Sequence, residues 1–474
     1  MIDQQQVLAN LEKNSILILG MGREGWSTYY FLRTKFPNKK LAVADKQPLE
    51  KFAEDQQQLL KDDPHLEYYF GDNHLTNLKN YQLIFKSPGI PQTIPAIDQA
   101  KQSGSQLTSN TQLFFALCPG ITIGVTGTKG KSTTSAIIHH VLKSNDLASH
   151  LVGNIGQPAL TILEKINADS LVVCELSSHQ LETMTISPHI AVVQDVTSEH
   201  LDYYQDTASY QQAKTPICKY QTKDDFVIFN PQMLGATKIT QFSAGQHLRF
   251  STQEGPDAIV FVRNKQILRK DNQQRTELIL ETNKLPLKGE HNLLNVMPAV
   301  VVGTLFNLSA AQIGQALQNF KALPHRLEFF YERKGIRYYD DSLSTMPAAA
   351  MRALDSFSEP IVLLAGGYER QQDFSDLAKK ILEKKVVGLV LFEPTGKRLA
   401  AEIDNLVSNN KPIVEFASQM KEAVSKAQQI ITEYFEKSGE NQGIILLSPA
   451  SASFGAFKDY QDRGEQFKKA VKTD

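Results

Sequence analysis

Apolar residues in this chain come in short runs that end in glycine-rich or acidic turns. Such runs fall at Ser15–Leu19, Leu41–Ala44, Leu83–Phe85, Ile121–Ile123, Leu171–Cys174 and Ile190–Gln194, then at Ile336–Tyr339, Ile361–Leu364, Val387–Leu391 and Ile444–Leu447. Between many of them lie stretches with helical spacing, such as SAIIHHVL after residue 134. Buried strands alternating with helices predict an α/β chain with mostly parallel sheets. The polar, β-rich stretch from Phe226 to about Leu287 breaks the alternation and reads as hairpins. With 474 residues, the chain is long enough for about three domains. The pattern divides it into 1–104, 105–322 and 323–474: a Rossmann-like domain, a central domain with added hairpins, and a second Rossmann-like domain.

Composition narrows the classes. A hydrophobic share of 41% and a charged share of 21% are those of an ordinary globular protein. The formal charge of -1 gives no electrostatic reason to expect nucleic acid or an anionic membrane. No apolar run approaches the ~18 residues of a membrane span, and no signal pattern opens the sequence, so a cytoplasmic location is expected. Cys118, Cys174 and Cys218 lack metal or disulfide spacing, which fits a reducing compartment.

The strongest chemical signal is GVTGTKGKSTT, Gly124–Thr134, set between a strand and a helix. The amides of Gly127, Thr128, Lys129, Gly130 and Thr133 can cradle phosphates, Lys131 can reach the terminal ones, and Ser132 can ligate Mg²⁺. ATP is therefore an expected ligand. Glu175 leaves the end of an apolar strand, where a carboxylate suits Mg²⁺. Asp195, Glu199, His200 and Asp202 crowd the next strand end, a composition suited to metal ligation or proton transfer. Lys214, on a helix-like stretch, reads by pattern alone as a solvated surface charge. Asn292 and Asn295 share a helix face and offer amides to a base edge. Arg326 can clamp a phosphate in two places. The first turn, GMGREG, with Gly22 and Asp45 downstream, has the layout of a ribose-binding dinucleotide fingerprint. Thr345, Arg370 and Ser453 follow strands of the last block and suit a small carboxylated substrate.

Taken in order, GTKGKST, ELSSHQLE, EHLD, GEHN with Asn295, PHRLE, DDS and SPASASF…RG resemble the Mur ligase family over essentially the whole chain, its glutamate-adding branch most of all. The resemblance implies an ATP-dependent ligase that joins glutamate, D-glutamate foremost, to UDP-N-acetylmuramoyl-L-alanine through an acyl phosphate, in peptidoglycan synthesis. It implies two Mg²⁺ ions held by Ser132, Glu175, His200 and a carbamylated Lys214. It gives Asn292 and Asn295 to adenine, Asp341 to ribose, and Arg326 to the γ-phosphate. Gly22, Asp45, Gly89 and Asn154 would contact the UDP-linked acceptor, and Thr345, Arg370, Ser453 and Tyr460 the incoming amino acid. A monomer is expected.

Four positions depart from the commonest pattern of that branch. Leu343 and Arg370 each stand where a lysine is usual, Asp195 where an asparagine is, and Glu199 where an aspartate is. The first two lie around the amino-acid pocket, so an L-glutamate-adding ligase on the same acceptor remains open. Other readings are a folylpolyglutamate-synthase-like ligase, an NAD-dependent oxidoreductase resting on GMGREG alone, and a non-catalytic nucleotide-binding regulator.

Overall fold

The computed structural model describes residues 3–199, 203–271, 273–287, 289–321, 323–408 and 411–473. It contains three sheets. The first has five parallel strands in the order Leu66–Phe70, Leu41–Asp45, Ile16–Leu19, Leu83–Lys86 and Gln106–Thr108. Its order reverses at Ile16–Leu19, so the ends of Ile16–Leu19 and Leu83–Lys86 form the crevice where α/β ligands sit.

The second sheet has nine strands. Its parallel part runs Ser149–Gly153, Leu171–Glu175, Ile121–Thr126, Ile190–Val193, Phe226–Phe229, Gln246–Ser251 and Ala258–Arg263. Gln266–Lys270 and Thr276–Glu281 then add an antiparallel hairpin edge. This corrects part of the sequence reading. Phe226–Phe229 and Gln246–Ser251 are a parallel pair joined through the helix Leu234–Thr240, and only the later strands are hairpins. That helix has seven residues, too few for a helical period to stand out from polar surroundings.

The third sheet has six strands, in the order Glu328–Arg333, Ile336–Asp340, Gly443–Leu447, Ile361–Gly366, Val386–Phe392 and Ile413–Phe416. All pairings are parallel except the first.

Packing gathers the chain into two compact units: Met1–Lys284 with Leu293–Gln318, and Leu285–Asn292 with Asn319–Asp474. Within the first unit, Ile16 and Val43 of the first sheet, Phe114 of the connecting helix, and Val172 and Val193 of the second sheet belong to one buried cluster. Among the described residues, no helix is long and apolar enough to cross a membrane.

Candidate active site

In the first unit, strand Ile121–Thr126 delivers the chain into a turn where Gly127 has φ 152° and Gly130 φ 82°. Gly130 caps the helix Lys131–Lys143 in the left-handed region, and a Cβ there would collide with Asn295 Oδ1. The left-handed dihedral is what requires glycine here, since the clash is with the end of a side chain. Thr128 N donates to Asp195 O (2.7 Å), and Thr128 Oγ1 accepts from Thr197 N (3.0 Å) and meets the Tyr210 hydroxyl (3.2 Å). Lys131 Nζ folds over the turn and donates to Gly127 O (2.8 Å) and Thr128 O (2.9 Å). Lys129 is exposed, while Ser132 and Thr133 open the helix.

Three further groups gather against this turn. Glu175 is buried at the end of Leu171–Glu175, and its Oε2 has no hydrogen-bond partner among the described residues. A buried carboxylate oxygen left unpaired is costly, and a cation would satisfy it. Lys214 is buried rather than solvated, which corrects the pattern-based reading. Its Nζ donates to Gly127 O (3.1 Å) and lies 4.7 Å over the Tyr210 ring. Burial, reinforced by the Lys131 charge, pulls the Lys214 amine well below the usual lysine range, against the pull of Glu199 and Glu175. Gln194, not singled out in the sequence, donates to Thr134 Oγ1 (2.7 Å) and Leu294 O (3.0 Å) and so pins the helix that follows the turn. His200 lies outside the described residues.

A cavity of about 640 Å³ opens beside the first sheet. Gly22, Asp45, Gly89 and Asn154, all expected from sequence, line it, together with Arg23, Lys46, His74 and Ser87, which were not. Gly22 is the N-cap of the helix Arg23–Lys35 and leaves open space where a Cβ would stand. Asp45 Oδ2 accepts from Met21 N (2.6 Å). Asn154 joins this cavity to the previous site, since its Nδ2 donates to Glu175 Oε1 (3.3 Å). Arg23, Lys46 and Ser87 lie within two residues of Gly22, Asp45 and Gly89, whereas His74 follows the strand Leu66–Phe70, where no local pattern marked it.

In the second unit, Asp341 is buried. Its carboxylate accepts from Leu327 N (3.1 Å) and Ser448 Oγ (2.7 Å), and burial raises it to about 6. Arg326 sits in the preceding connector, where His325 and Leu327 both have positive φ. Asn292 is buried within this unit's segment of the helix Glu290–Leu305, whereas Asn295 belongs to the first. Tyr368 N donates to Ala452 O (2.8 Å), which draws together the loops carrying Arg370 and Ser453. The Arg370 guanidinium lies 5.4 Å over the Phe454 ring, a cation–π contact. Ser453 is buried nearby in sequence, and Thr345 O accepts from Gln372 Nε2 (3.0 Å) on the Arg370 loop. Tyr460 O accepts from Ser342 Oγ (2.8 Å). Arg463, missed by sequence reading as a site residue, is fully buried and donates to Ser342 O (2.9 Å) and Ser451 O (3.0 Å), fastening two of these loops.

Three family models match the chain: a Mur ligase MurD-like N-terminal domain over residues 14–109, a Mur ligase middle domain over 125–303, and a Mur ligase glutamate ligase domain over 325–450. A UDP-N-acetylmuramoylalanine–D-glutamate ligase of Clostridium botulinum is 31% identical over 403 residues, 85% of each chain. One of the same description from Acetivibrio thermocellus is 32% identical over 410 residues, 86% of each. Among solved structures, a UDP-N-acetylmuramate-alanine ligase of Thermotoga maritima aligns with TM-score 0.57 and 17% identity, covering 97% of this chain and 99% of its own. A MurF ligase of the same organism, solved with ADP, aligns with TM-score 0.55 and 15% identity over 100% and 96%. These two likenesses are of fold.

Proposed function

The chain belongs to the Mur ligase family, and from that premise we propose that it is an ATP-dependent ligase joining D-glutamate to UDP-N-acetylmuramoyl-L-alanine. The observation that carries this reading is the junction at Asn154. One side chain lines the large cavity and also bonds Glu175, beside the phosphate-type turn. An acceptor held in the cavity is thereby directed toward a phosphoryl donor.

In this reading Gly127, Thr128, Lys129, Gly130 and Thr133 present turn and helix amides to the ATP phosphates, and Lys131 leaves its carbonyls to meet them. Asn292 and Asn295 hold adenine, Asp341 the ribose and Arg326 the γ-phosphate. Gly22, Asp45, Gly89 and Asn154 hold the UDP-linked acceptor. The acceptor's terminal carboxylate attacks the γ-phosphorus, the bond to the β-phosphate oxygen breaks, and ADP leaves. The amine of glutamate, placed by Thr345, Arg370, Ser453 and Tyr460, then attacks the acyl carbon. It loses a proton, and inorganic phosphate departs. Holding three reactants in register supplies much of the acceleration.

The buried, unpaired Glu175 Oε2 fits a divalent cation. Ser132, Glu175, His200 and Lys214 as its carbamate would hold two Mg²⁺ ions, whose charge would offset that of the transferring phosphoryl group. Burial draws the Lys214 amine toward its neutral form, the nucleophile toward CO₂, which supports the carbamate; the N–C bond forms as the amine loses a proton. The enzyme acts as a monomer in the cytoplasm, where ATP and UDP-linked precursors are found.

Phosphate release with ATP, Mg²⁺ and UDP-N-acetylmuramoyl-L-alanine, comparing D-glutamate, L-glutamate and no amino acid, tests this. Sustained release with D-glutamate is expected. The Arg370–Phe454 contact favours a second arm of the same experiment, since a planar fork replaces the usual lysine point charge. Preference for L-glutamate would make the chain an L-glutamate-adding ligase, and no release with either would overturn the acceptor.

A further inference from the structure

Lys86 ends the strand Leu83–Lys86 and is almost fully buried, a costly place for an ammonium. Its Nζ donates to Ile90 O (2.6 Å) and Ser87 O (3.3 Å), and so closes the turn that leaves the strand. Residues Ser87, Pro88, Gly89, Ile90 and Pro91 of that turn form one wall of the 640 Å³ cavity. The turn is also held from outside. Ser87 Oγ donates to Gly20 O (2.7 Å), and the Tyr203 hydroxyl reaches Ile90 O (3.4 Å). Burial lowers the Lys86 ammonium to about 8; Glu182 and Glu24 draw it back up, and Lys101 pushes it further down. Glu24 itself lines the cavity, and burial raises its carboxyl above the usual range. The phosphoryl transfer derived above makes no use of the Lys86 amine.

We infer that Lys86 is a positioning residue for the nucleotide-linked acceptor: from beneath the cavity wall, its ammonium gathers the carbonyls of Ser87 and Ile90 and fixes the shape against which the acceptor binds. The inference rests on the reading that this cavity takes that acceptor. Without the amine, two carbonyls lose a charged donor and the wall relaxes. The cost falls on acceptor binding, because both of the Lys86 hydrogen bonds go to carbonyls of the cavity wall.

Steady-state kinetics on the full chain, with each substrate varied in turn, test this together with calorimetric binding of UDP. Lys86→Met is expected to raise the acceptor KM about ten-fold and weaken UDP binding in step. Its kcat and its KM for ATP should stay within about two-fold of wild type. An unchanged acceptor KM in folded Lys86→Met would overturn the inference, as would a fall in kcat with every KM shifted alike. If Lys86→Met does not fold, Lys86→Gln, which keeps an amide donor, is read by the same criteria with an intermediate shift expected. A wild type that binds UDP without turning over this acceptor would count against the functional reading alone, and the Lys86 question would then be decided by UDP binding.

Discussion

Two glycine-rich turns in the first unit leave parallel strands, enter helices of 13 residues each, and are nonetheless built with opposite polarity. In the turn after Ile16–Leu19, a carboxylate grips an amide: Asp45 Oδ2 takes the Met21 N–H. In the turn after Ile121–Thr126, an ammonium grips carbonyls: Lys131 holds Gly127 O and Thr128 O. The strand–turn–helix grammar is shared, and the side chain that braces the turn decides which ligand it can meet. A turn braced by Asp45 keeps a negative charge at its lip, suited to ribose hydroxyls. A turn braced by Lys131 keeps a positive charge suited to a polyphosphate.

The comparison breaks most sharply at Lys131. Lys131→Ala should lower turnover on the order of 10²–10³-fold or more in the phosphate-release assay, because a developing phosphoryl charge loses its preorganised partner. A loss below ten-fold would show that the ammonium only braces the turn. Lys214→Ala should lower turnover on the order of 10²-fold, with partial recovery on adding short-chain carboxylates that stand in for the carbamate. Recovery by neutral amides as well would instead point to simple space-filling. For the other turn, Asp45→Ala should raise the acceptor KM about ten-fold with kcat little changed, as one charge-assisted bond is lost. A fall in kcat alone would place Asp45 in the chemistry.

The smallest effect concerns Asp341. Burial holds its carboxyl at about 6 when folded, above the ordinary aspartate value of 3.8, so the folded chain binds the proton more tightly. This group therefore favours folding at low pH, and its contribution fades as pH rises from about 4 through about 6. Denaturant unfolding from pH 4 to 7 should show that slope in wild type and a weaker one in Asp341→Asn.

What could be read from sequence followed the range of the interactions. The strand–turn–helix around Gly127 was legible because strand, glycines, lysine and helix are contiguous between Ile121 and Lys143. Lys214 was not, since its burial comes from the Gly127 carbonyl and the Tyr210 ring, and only the family resemblance singled it out. Lys46 and His74 share a cavity with Gly22 only because the turns after three strands of one sheet converge. Phe226–Ser251 misled because a seven-residue helix between two parallel strands carries too little periodicity to separate a crossover from a hairpin. The three-sheet α/β plan was legible because buried parallel strands read as continuous apolar runs wherever they fall.

Asn154 has one amide and two obligations. It borders the 640 Å³ cavity, and its Nδ2 is committed to Glu175. For a cell exposed to an inhibitor that leans on this part of the cavity, replacing Asn154 would loosen the drug and disturb the carboxylate beside the phosphate turn in the same stroke. Resistance by this route would carry a fitness defect in ligase turnover, which makes the Asn154 rim a favourable place to anchor such a compound.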